Sequence, residues 1–368
     1  MNTIETRLKE RARSLGFDLA GIAPATPADG FDRYKEWLER GYAGEMAYLR
    51  NQSEPRRSPE SILANVRSVV MVGMMYDNGP TFPDDGLGAL TQPRSPVPGV
   101  TTQPQSPVGR VARYAQGPDY HQVMWAKLDT LLAWLQGEVA GLQGRGVVDS
   151  APLLERDFAR RAGLGWFGKN TMLINKKMGS FFFLGALLVD HEFQADSPHV
   201  SSHCGTCTAC LDACPTEAFT GPGWLDARKC ISYLTIELRS PIPELLRPGM
   251  RDWLYGCDIC QEVCPWNRPF GESLAFDPIE ILGLDEEEFR TRFRATAVWR
   301  AKRRGLLRNA AIVLGNTGDA RALPALERAQ TDAEPLIREA AAWAIGCIQE
   351  RLSTPRTDFL MEPLPTTS

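Results

Sequence analysis

Two stretches of sequence decide the fold of this chain: HCGTCTACLDACP (203–215) and YGCDICQEVCPWN (255–267). The first has the spacing C-x2-C-x2-C-x3-C-P, and the second repeats the end of that spacing. The pattern is typical of proteins with two 4Fe-4S clusters, in which the last cysteine of each run binds the other cluster. This crossover predicts one cluster on Cys204, Cys207, Cys210 and Cys264, and a second on Cys214, Cys257, Cys260 and, as the missing fourth ligand, Cys230.

Cys230 is assigned because the second run lacks its first cysteine, which would stand at position 254, where this chain has Leu254. Structural zinc is the alternative, since zinc also takes four thiolates. Two runs that each end in Cys-Pro favour iron–sulfur clusters. The ninth cysteine, Cys347, lies in an apolar helical stretch and is expected to be a buried core thiol.

The composition indicates a globular protein of two or three domains, with 368 residues, 43% of them hydrophobic and 23% charged. The most hydrophobic stretch, 181–189, has the length of a strand and not of a membrane span. The N-terminus lacks the apolar core of a secretion signal. We therefore expect no membrane association and a cytoplasmic location, where thiols stay reduced and cysteine clusters indicate metal binding.

The net charge of −4 argues against a nucleic-acid partner, but the charge is unevenly distributed. Residues 289–308 contain eight basic side chains and no acidic one, directly after the acidic run 285–288. Such a patch can neutralise phosphates. A solvated helix face is the simpler interpretation of the same residues.

The order of predicted elements indicates an α+β protein. Residues 1–200 read as a mixed α/β domain, with helices at 4–15 and 121–142, a short strand at 17–23, and two buried central strands at 69–76 and 181–189. The cluster module, expected to be ferredoxin-like, spans 201–268. Residues 279–352 are expected to form HEAT-like helical repeats, since AAIVLG (310–315) recurs as AAWAIG (341–346). A long loop is predicted at 78–109 and a disordered tail at 353–368.

The segment 147–173 is the densest candidate for a reactive site. It contains Asp149 after a strand, a short helix with Glu155 and Arg156, and a glycine-rich turn that leads to Lys169 and Asn170. Glycines allow the backbone to approach a flat cofactor closely. A turn with a helix cap is the alternative interpretation of Asp149. The sequence has no G-x-G-x-x-G after a predicted strand for a dinucleotide, no Walker loop and no H-E-x-x-H motif.

Across most of its length the chain resembles the epoxyqueuosine reductase family. The resemblance rests on PRRSPESILANVRSVV (55–70), RYAQGPDYH (113–121), VDSAPLLERDFARRAGLGWFGKNTM (148–172), RKCISYLTIE (228–237), WRAKRRGLLRNAAI (299–312) and the two cysteine runs. Only the loop 78–109 looks longer than is usual in the family. The cobalamin pattern D-x-H-x-x-G is nearly met by Asp119 and His121, but Met124 replaces the glycine, so we read it as a chance match.

The resemblance implies an oxidoreductase that reduces epoxyqueuosine to queuosine at the wobble position of tRNA, with electrons passing from two 4Fe-4S clusters to base-off cobalamin. It implies that Asp149 donates a proton, which requires a raised carboxyl pKa. It places Arg56, Asp149, Lys169, Asn170, Leu173, Ser232 and Asp258 at the cobalamin site. It also implies that the anticodon stem-loop contacts Arg300, Lys302, Arg303, Arg304 and Arg308.

The implied partners are tRNA and an external low-potential donor such as ferredoxin or flavodoxin, and the protein is expected to be a monomer. Two other functions remain open from the sequence. One is a cobalamin-dependent reductive dehalogenase that acts on small organohalides. The other is a non-catalytic iron–sulfur electron carrier or cluster-bearing RNA-binding module. Uptake of a corrinoid would separate the carrier from the two enzymes.

Overall fold

This computed structural model describes residues 2–76, 107–267 and 274–353. Almost all of the predicted loop 78–109 and of the predicted tail 353–368 lies outside the described residues. The helices are α1 Ile4–Ser14, α2 Phe31–Glu39, α3 Ala47–Asn51, α4 Tyr120–Glu138, α5 Glu155–Arg161, α6 Ala209–Asp212, α7 Ile231–Ile236, α8 Ile259–Glu262, α9 Pro278–Leu282, α10 Glu286–Phe293, α11 Lys302–Thr317, α12 Leu323–Ala329 and α13 Pro335–Ser353. The strands are β1 Leu19–Pro24, β2 Ser68–Met75, β3 Gly109–Val111, β4 Gly144–Val147, β5 Trp166–Phe167, β6 Leu173–Ile174, β7 Phe182–Val189, β8 Phe219–Gly221, β9 Trp224–Leu225, β10 Trp253–Tyr255 and β11 Ala275–Phe276.

The largest sheet has four antiparallel strands in the order β1-β2-β7-β4. Its two central strands are the two apolar runs predicted from the sequence, paired with Val70 opposite Leu187. Because side chains alternate along a strand, Val70 and Val72 enter one core while Val69 and Met71 enter the other. The first core also contains α1 and α4, and the second contains α5. The prediction of strands buried on both faces is therefore confirmed.

Two local features position the helices on this sheet: one ends helix α4, and the other lets helix α5 approach strand β1. Helix α4 ends at Glu138, earlier than predicted, because Val139 is extended and Gly141 has a positive φ of 78°. Helix α5 lies so close to β1 that a Cβ on Gly21 would collide with the carbonyl oxygen of Ala162. Glycine at this position lets the helix that carries Glu155 pack directly on the sheet.

The C-terminal part is helical, as predicted, and α11 packs mainly on α13. The contact is close, since a Cβ on Gly315 would overlap the ring of Trp343. One hydrophobic core joins these helices to the cysteine-bearing region, and it includes Leu234, Trp253 and Leu306. Cys347 is only half-buried, so the expectation of a fully buried core thiol is wrong. The classification as HEAT-like repeats and the domain boundaries remain predictions.

Candidate active site

The seven cysteines of the two runs and Cys230 lie close to one another. Burial, and then the thiols of Cys264, Cys204 and Cys207, raise the pKa of Cys210. Burial raises the pKa of Cys260 as well, and here the nearby thiols are Cys230, Cys210 and Cys214. We call Cys204, Cys207, Cys210 and Cys264 the outer group, and Cys214, Cys230, Cys257 and Cys260 the inner group.

Backbone N–H groups point at the sulfur atoms. The amide of Ala218 donates to the Sγ of Cys214 at 3.4 Å, and the amides of Ser232 and Tyr233 donate to Cys230. Such donors stabilise the thiolate form that iron requires. Within the described residues, no three His, Cys, Asp or Glu side chains are arranged closely enough to hold a single metal ion.

Asp149 follows β4 in a left-handed conformation, with a φ of 48°. This conformation is costly for a residue with a side chain, so neighbouring contacts must hold it. The carboxylate of Glu155 accepts a hydrogen bond from the Asp149 amide at 2.6 Å. The guanidinium of Arg56 donates to the carbonyl oxygens of Ala151 and Leu153 at 3.3 and 3.4 Å. The loop that carries Asp149 is therefore fixed at both of its ends.

Two side chains at the start of α4 contact the Asp149 carboxylate. The Tyr120 hydroxyl donates to Oδ2 at 3.2 Å, and Nε2 of His121 lies 3.5 Å from the same oxygen. On its other side, Nδ1 of His121 lies 2.7 Å from Oδ1 of Asp119, which caps the helix. The three residues Asp119, His121 and Asp149 thus form a continuous acid–base chain.

The charges in this chain differ from the sequence expectation. Burial alone would lower the pKa of His121, but hydrogen bonds to Asp119 and Asp149 outweigh it and raise the pKa to about 9. Burial would raise the pKa of Asp149, but His121 and Tyr120 outweigh it and lower the pKa below its ordinary value. The expected raised pKa of Asp149 is therefore wrong, because an imidazolium lies beside the carboxylate. The D-x-H motif that was read as chance belongs to this site.

These side chains line a cleft. The Asp149 side chain is 66% exposed, although protein atoms surround it closely enough to desolvate the carboxylate. Arg156 is likewise exposed, and its guanidinium donates to the carbonyl oxygen of Thr171 at 2.7 Å. Burial and the Asp149 charge raise the pKa of Glu155 to about 8. Burial lowers the pKa of Arg156, and the negative charges of Glu155, Asp149 and Cys260 partly offset this effect. Cys260 of the inner group therefore lies near Arg156.

Most of the predicted cofactor residues support the site from behind. Asn170 is 2% exposed and donates to the carbonyl oxygen of Cys260 at 3.1 Å. Asp258 is also 2% exposed, and burial raises its pKa to about 6. Leu173 is a core residue, and the ammonium group of Lys169 binds the carbonyl oxygens of Gly205 and Cys207 in the outer loop. Arg56, Asn170, Leu173 and Asp258 are at most 6% exposed, and their place at the cobalamin site stays a prediction.

The basic segment divides into surface and core. Arg308 is 1% exposed and donates to the carbonyl oxygens of Leu234, Leu238 and Ser240, so its expected contact with phosphate is wrong. Arg303 pairs with Asp332 at 2.6 Å. The remaining three predicted residues reach solvent to different degrees: Arg300, Lys302 and Arg304.

Arg300 lies beside Tyr48 and close to Asp149. It makes two hydrogen bonds to the carboxylate of Glu237, at 2.8 and 3.1 Å, and its guanidinium lies 5.5 Å from the ring centre of Tyr48. Its charge also helps to lower the pKa of Asp149. The basic surface and the acid–base chain are therefore adjacent.

Comparison with known proteins identifies the family of this chain. A family model described as "Epoxyqueuosine reductase QueG, DUF1730" matches residues 56–150, and one described as a 4Fe-4S double cluster binding domain matches 203–267. The epoxyqueuosine reductase of Leadbetterella byssophila is 42% identical over 324 residues, which cover 85% of this chain and 99% of that protein. This chain belongs to the epoxyqueuosine reductase family. The expectation drawn from the sequence is confirmed at this level.

Solved structures of the family superpose over nearly the whole chain. One is an epoxyqueuosine reductase with an epoxyqueuosine-modified tRNA-Tyr stem loop, with a TM-score of 0.81, 32% identity, and coverage of 94% of this chain and 90% of that one. Another is the Bacillus subtilis enzyme with its catalytic Asp loop swung out of the active site, with a TM-score of 0.80, 30% identity, and coverage of 96% and 95%. Within the described residues, no helix is long and apolar enough to cross a membrane.

Proposed function

We propose that this protein reduces epoxyqueuosine to queuosine at the wobble position of tRNA, using two 4Fe-4S clusters and base-off cobalamin, as a cytoplasmic monomer. The observation that carries the proposal is the position of the cleft. Asp149 and His121 lie in contact there, and the inner cysteine group and Arg300 are both close enough to act electrostatically on its charged side chains.

The cysteines fit two clusters by their donor set. Eight thiols in two groups of four supply the ligands that two 4Fe-4S clusters need, and backbone amides are aimed at several of the sulfurs. The outer group would hold one cluster and the inner group the other. Lys169 and Asn170 brace the loops that carry these cysteines, since each donates to a carbonyl oxygen of a cysteine loop.

The cleft fits a large cofactor because charged and aromatic side chains remain accessible inside it, among them Tyr48, Asp149 and Arg156. We assign these side chains, with the backbone near Ser232, as contacts of cobalamin. When bound, cobalamin supplies the strongly reducing cobalt centre that this reaction requires. The contribution of the protein is to orient the substrate, to exclude water and to deliver protons.

Removal of the epoxide oxygen as water consumes two electrons and two protons. The acid–base chain can supply protons at the Asp149 carboxylate, since His121 holds a proton at neutral pH and faces that carboxylate. In this scheme Asp149 passes a proton from His121 to the opening epoxide oxygen. The exposed side of the Asp149 side chain leaves room for the substrate.

The tRNA would be held by its phosphates on the surface formed by Arg300, Lys302 and Arg304, while the wobble base enters the cleft. Single-stranded bases are commonly splayed out and stacked on aromatic rings when proteins recognise them. Tyr48, which is 40% exposed beside Arg300, offers such a ring. The epoxyqueuosine reductase solved with a tRNA stem loop supports tRNA as the partner.

Asp149→Asn tests the proposal, with Asp129→Asn on the exposed face of α4 as a matched control. After anaerobic reconstitution with iron, sulfide and cobalamin, each variant is incubated with epoxyqueuosine-containing tRNA and the nucleosides are analysed by mass. We expect Asp149→Asn to bind tRNA and cobalamin normally but to convert about 10²- to 10⁴-fold more slowly, the range for loss of a general acid. Unchanged turnover would remove Asp149 from the mechanism.

A further inference from the structure

The outer cysteine group contains the one cysteine that is exposed in the described part of the chain. Cys207 of the outer group is exposed, and so is the loop 205–208 that contains it. The four cysteines of the inner group are each half-buried. Electrons from outside the protein would therefore arrive first at the outer group.

The short β5–β6 hairpin covers the outer group. Trp166 and Ile174 pack against Cys204 and Cys264 and are almost completely buried. The next residue along β5, Phe167, points the other way and is 41% exposed. The hairpin thus contacts the cysteines with one face and presents an aromatic ring to solvent with the other.

Lysines lie at both ends of this hairpin. Lys169, at its tip, donates to the carbonyl oxygens of Gly205 and Cys207, both at 2.8 Å. Lys176 and Lys177 are exposed in the turn that follows β6. That turn is tied to the segment after Cys264, since the amide of Ser180 donates to the side chain of Asn267 at 2.7 Å.

Of the described acidic side chains nearby, Asp212 and Glu262 each have a hydrogen-bond partner. The carboxylate of Asp212 accepts a hydrogen bond from Thr208 in the exposed loop. Glu262, on α8, is paired with Arg110 at 2.8 Å. The surface over the outer group therefore has an aromatic centre and a mainly basic rim, the composition expected of a surface that binds an acidic protein.

We propose that the β5–β6 hairpin and the loop 205–208 form the docking surface for an acidic protein that carries single electrons on a flavin or an iron–sulfur centre. The inference rests on the proposed function, because it requires clusters in the cysteine groups. The carrier is oxidised by one electron as the outer cluster is reduced by one. The interface would be small and transient, as in other electron-transfer encounters.

The test compares the double variant Lys176→Glu/Lys177→Glu with wild type and with Lys35→Glu as the control. Lys35, on α2, is half-exposed and lies 3.9 Å from Glu54. Reconstituted protein is mixed anaerobically with a reduced acidic flavodoxin, and cluster bleaching is followed by stopped-flow absorbance at several salt concentrations. A parallel series uses dithionite as a small reductant.

We expect flavodoxin to reduce the double variant at least 10-fold more slowly at low salt. The rate should also depend less on salt, because the electrostatic attraction between the two lysines and the acidic flavodoxin is lost. Its reduction by dithionite and its iron content should match wild type. Phe167→Ala should slow the flavodoxin reaction without changing its salt dependence. Wild-type rates and salt dependence in the double variant would overturn the docking surface. Absence of tRNA conversion with dithionite as reductant would instead contradict the proposed function.

Discussion

Replacing His121 by glutamine tests the acid–base chain most sharply. Glutamine can still donate a hydrogen bond towards Asp149, but it carries no charge and no transferable proton. The structure places His121 between two carboxylates, with 24% of its side chain exposed. The variant therefore removes the imidazolium while keeping a polar side chain at the start of α4.

The size of the effect follows from the pKa of His121. A rise from 6.5 to about 9 corresponds to about 3 kcal/mol of preferential stabilisation of the imidazolium in the folded protein. Because the folded-state pKa is raised, this stabilisation is complete below pH 6.5 and is lost as the pH rises through about 9. We expect the difference in unfolding free energy between wild type and the variant to shrink over the same interval.

Two measurements check this prediction. Urea unfolding of both proteins between pH 6 and 10 gives the difference in free energy, and single-turnover conversion of tRNA over the same range gives the rate. Wild type should lose activity above pH about 9, while His121→Gln should be slow at every pH and lack that alkaline decline. His191→Gln, on an exposed histidine, serves as control. A variant with the wild-type rate and the wild-type alkaline decline would refute the role of His121.

Three further predictions concern the cysteines and the basic segment. Cys230→Ser should lower the iron content of reconstituted protein by about half, measured by metal analysis, whereas full iron content would contradict the crossover assignment. Arg308→Met should destabilise the protein by about 3–5 kcal/mol in urea unfolding, because three buried carbonyl oxygens lose their donor. Near-wild-type stability would contradict the buried position of Arg308. Lys302→Glu/Arg304→Glu should weaken tRNA binding and flatten its salt dependence, measured by filter binding, and unchanged binding would make these residues a solvated helix face.

The sequence predicted those features that depend on local pattern. The spacing of the two runs grouped seven of the eight cysteines, and Cys230 was added as the missing fourth ligand; the ligand assignment stays a prediction. The strands β2 and β7 followed from uninterrupted apolar runs, which only a strand with two covered faces can accommodate. Asp149 was singled out because it follows a predicted strand in a segment dense in polar and glycine residues, and its role as proton donor came from the resemblance to a known family.

Features that depend on tertiary packing were not predicted. The positive charge of Arg308 suggested a surface position, yet all residues from Gly305 to Gly315 on α11 are buried, and backbone carbonyl oxygens satisfy the guanidinium. The run of apolar residues around Arg308 was the feature of the sequence that indicated burial of this helix. Lys169 was expected near the cofactor but turns towards the outer loop. His121 was dismissed because its motif was incomplete, whereas its partner Asp149 lies 28 positions away in the sequence and comes close only through the packing of α4 on β4.

The central claim is that two clusters and a cofactor in the cleft remove one oxygen atom from a tRNA base. The most direct measurement is nucleoside mass analysis of epoxyqueuosine-containing tRNA after anaerobic incubation with protein reconstituted with iron, sulfide and cobalamin. We predict conversion to a nucleoside lighter by one oxygen atom, dependent on both cobalamin and reductant. Unchanged epoxyqueuosine in the presence of protein that holds about eight irons and bound cobalamin would contradict the account.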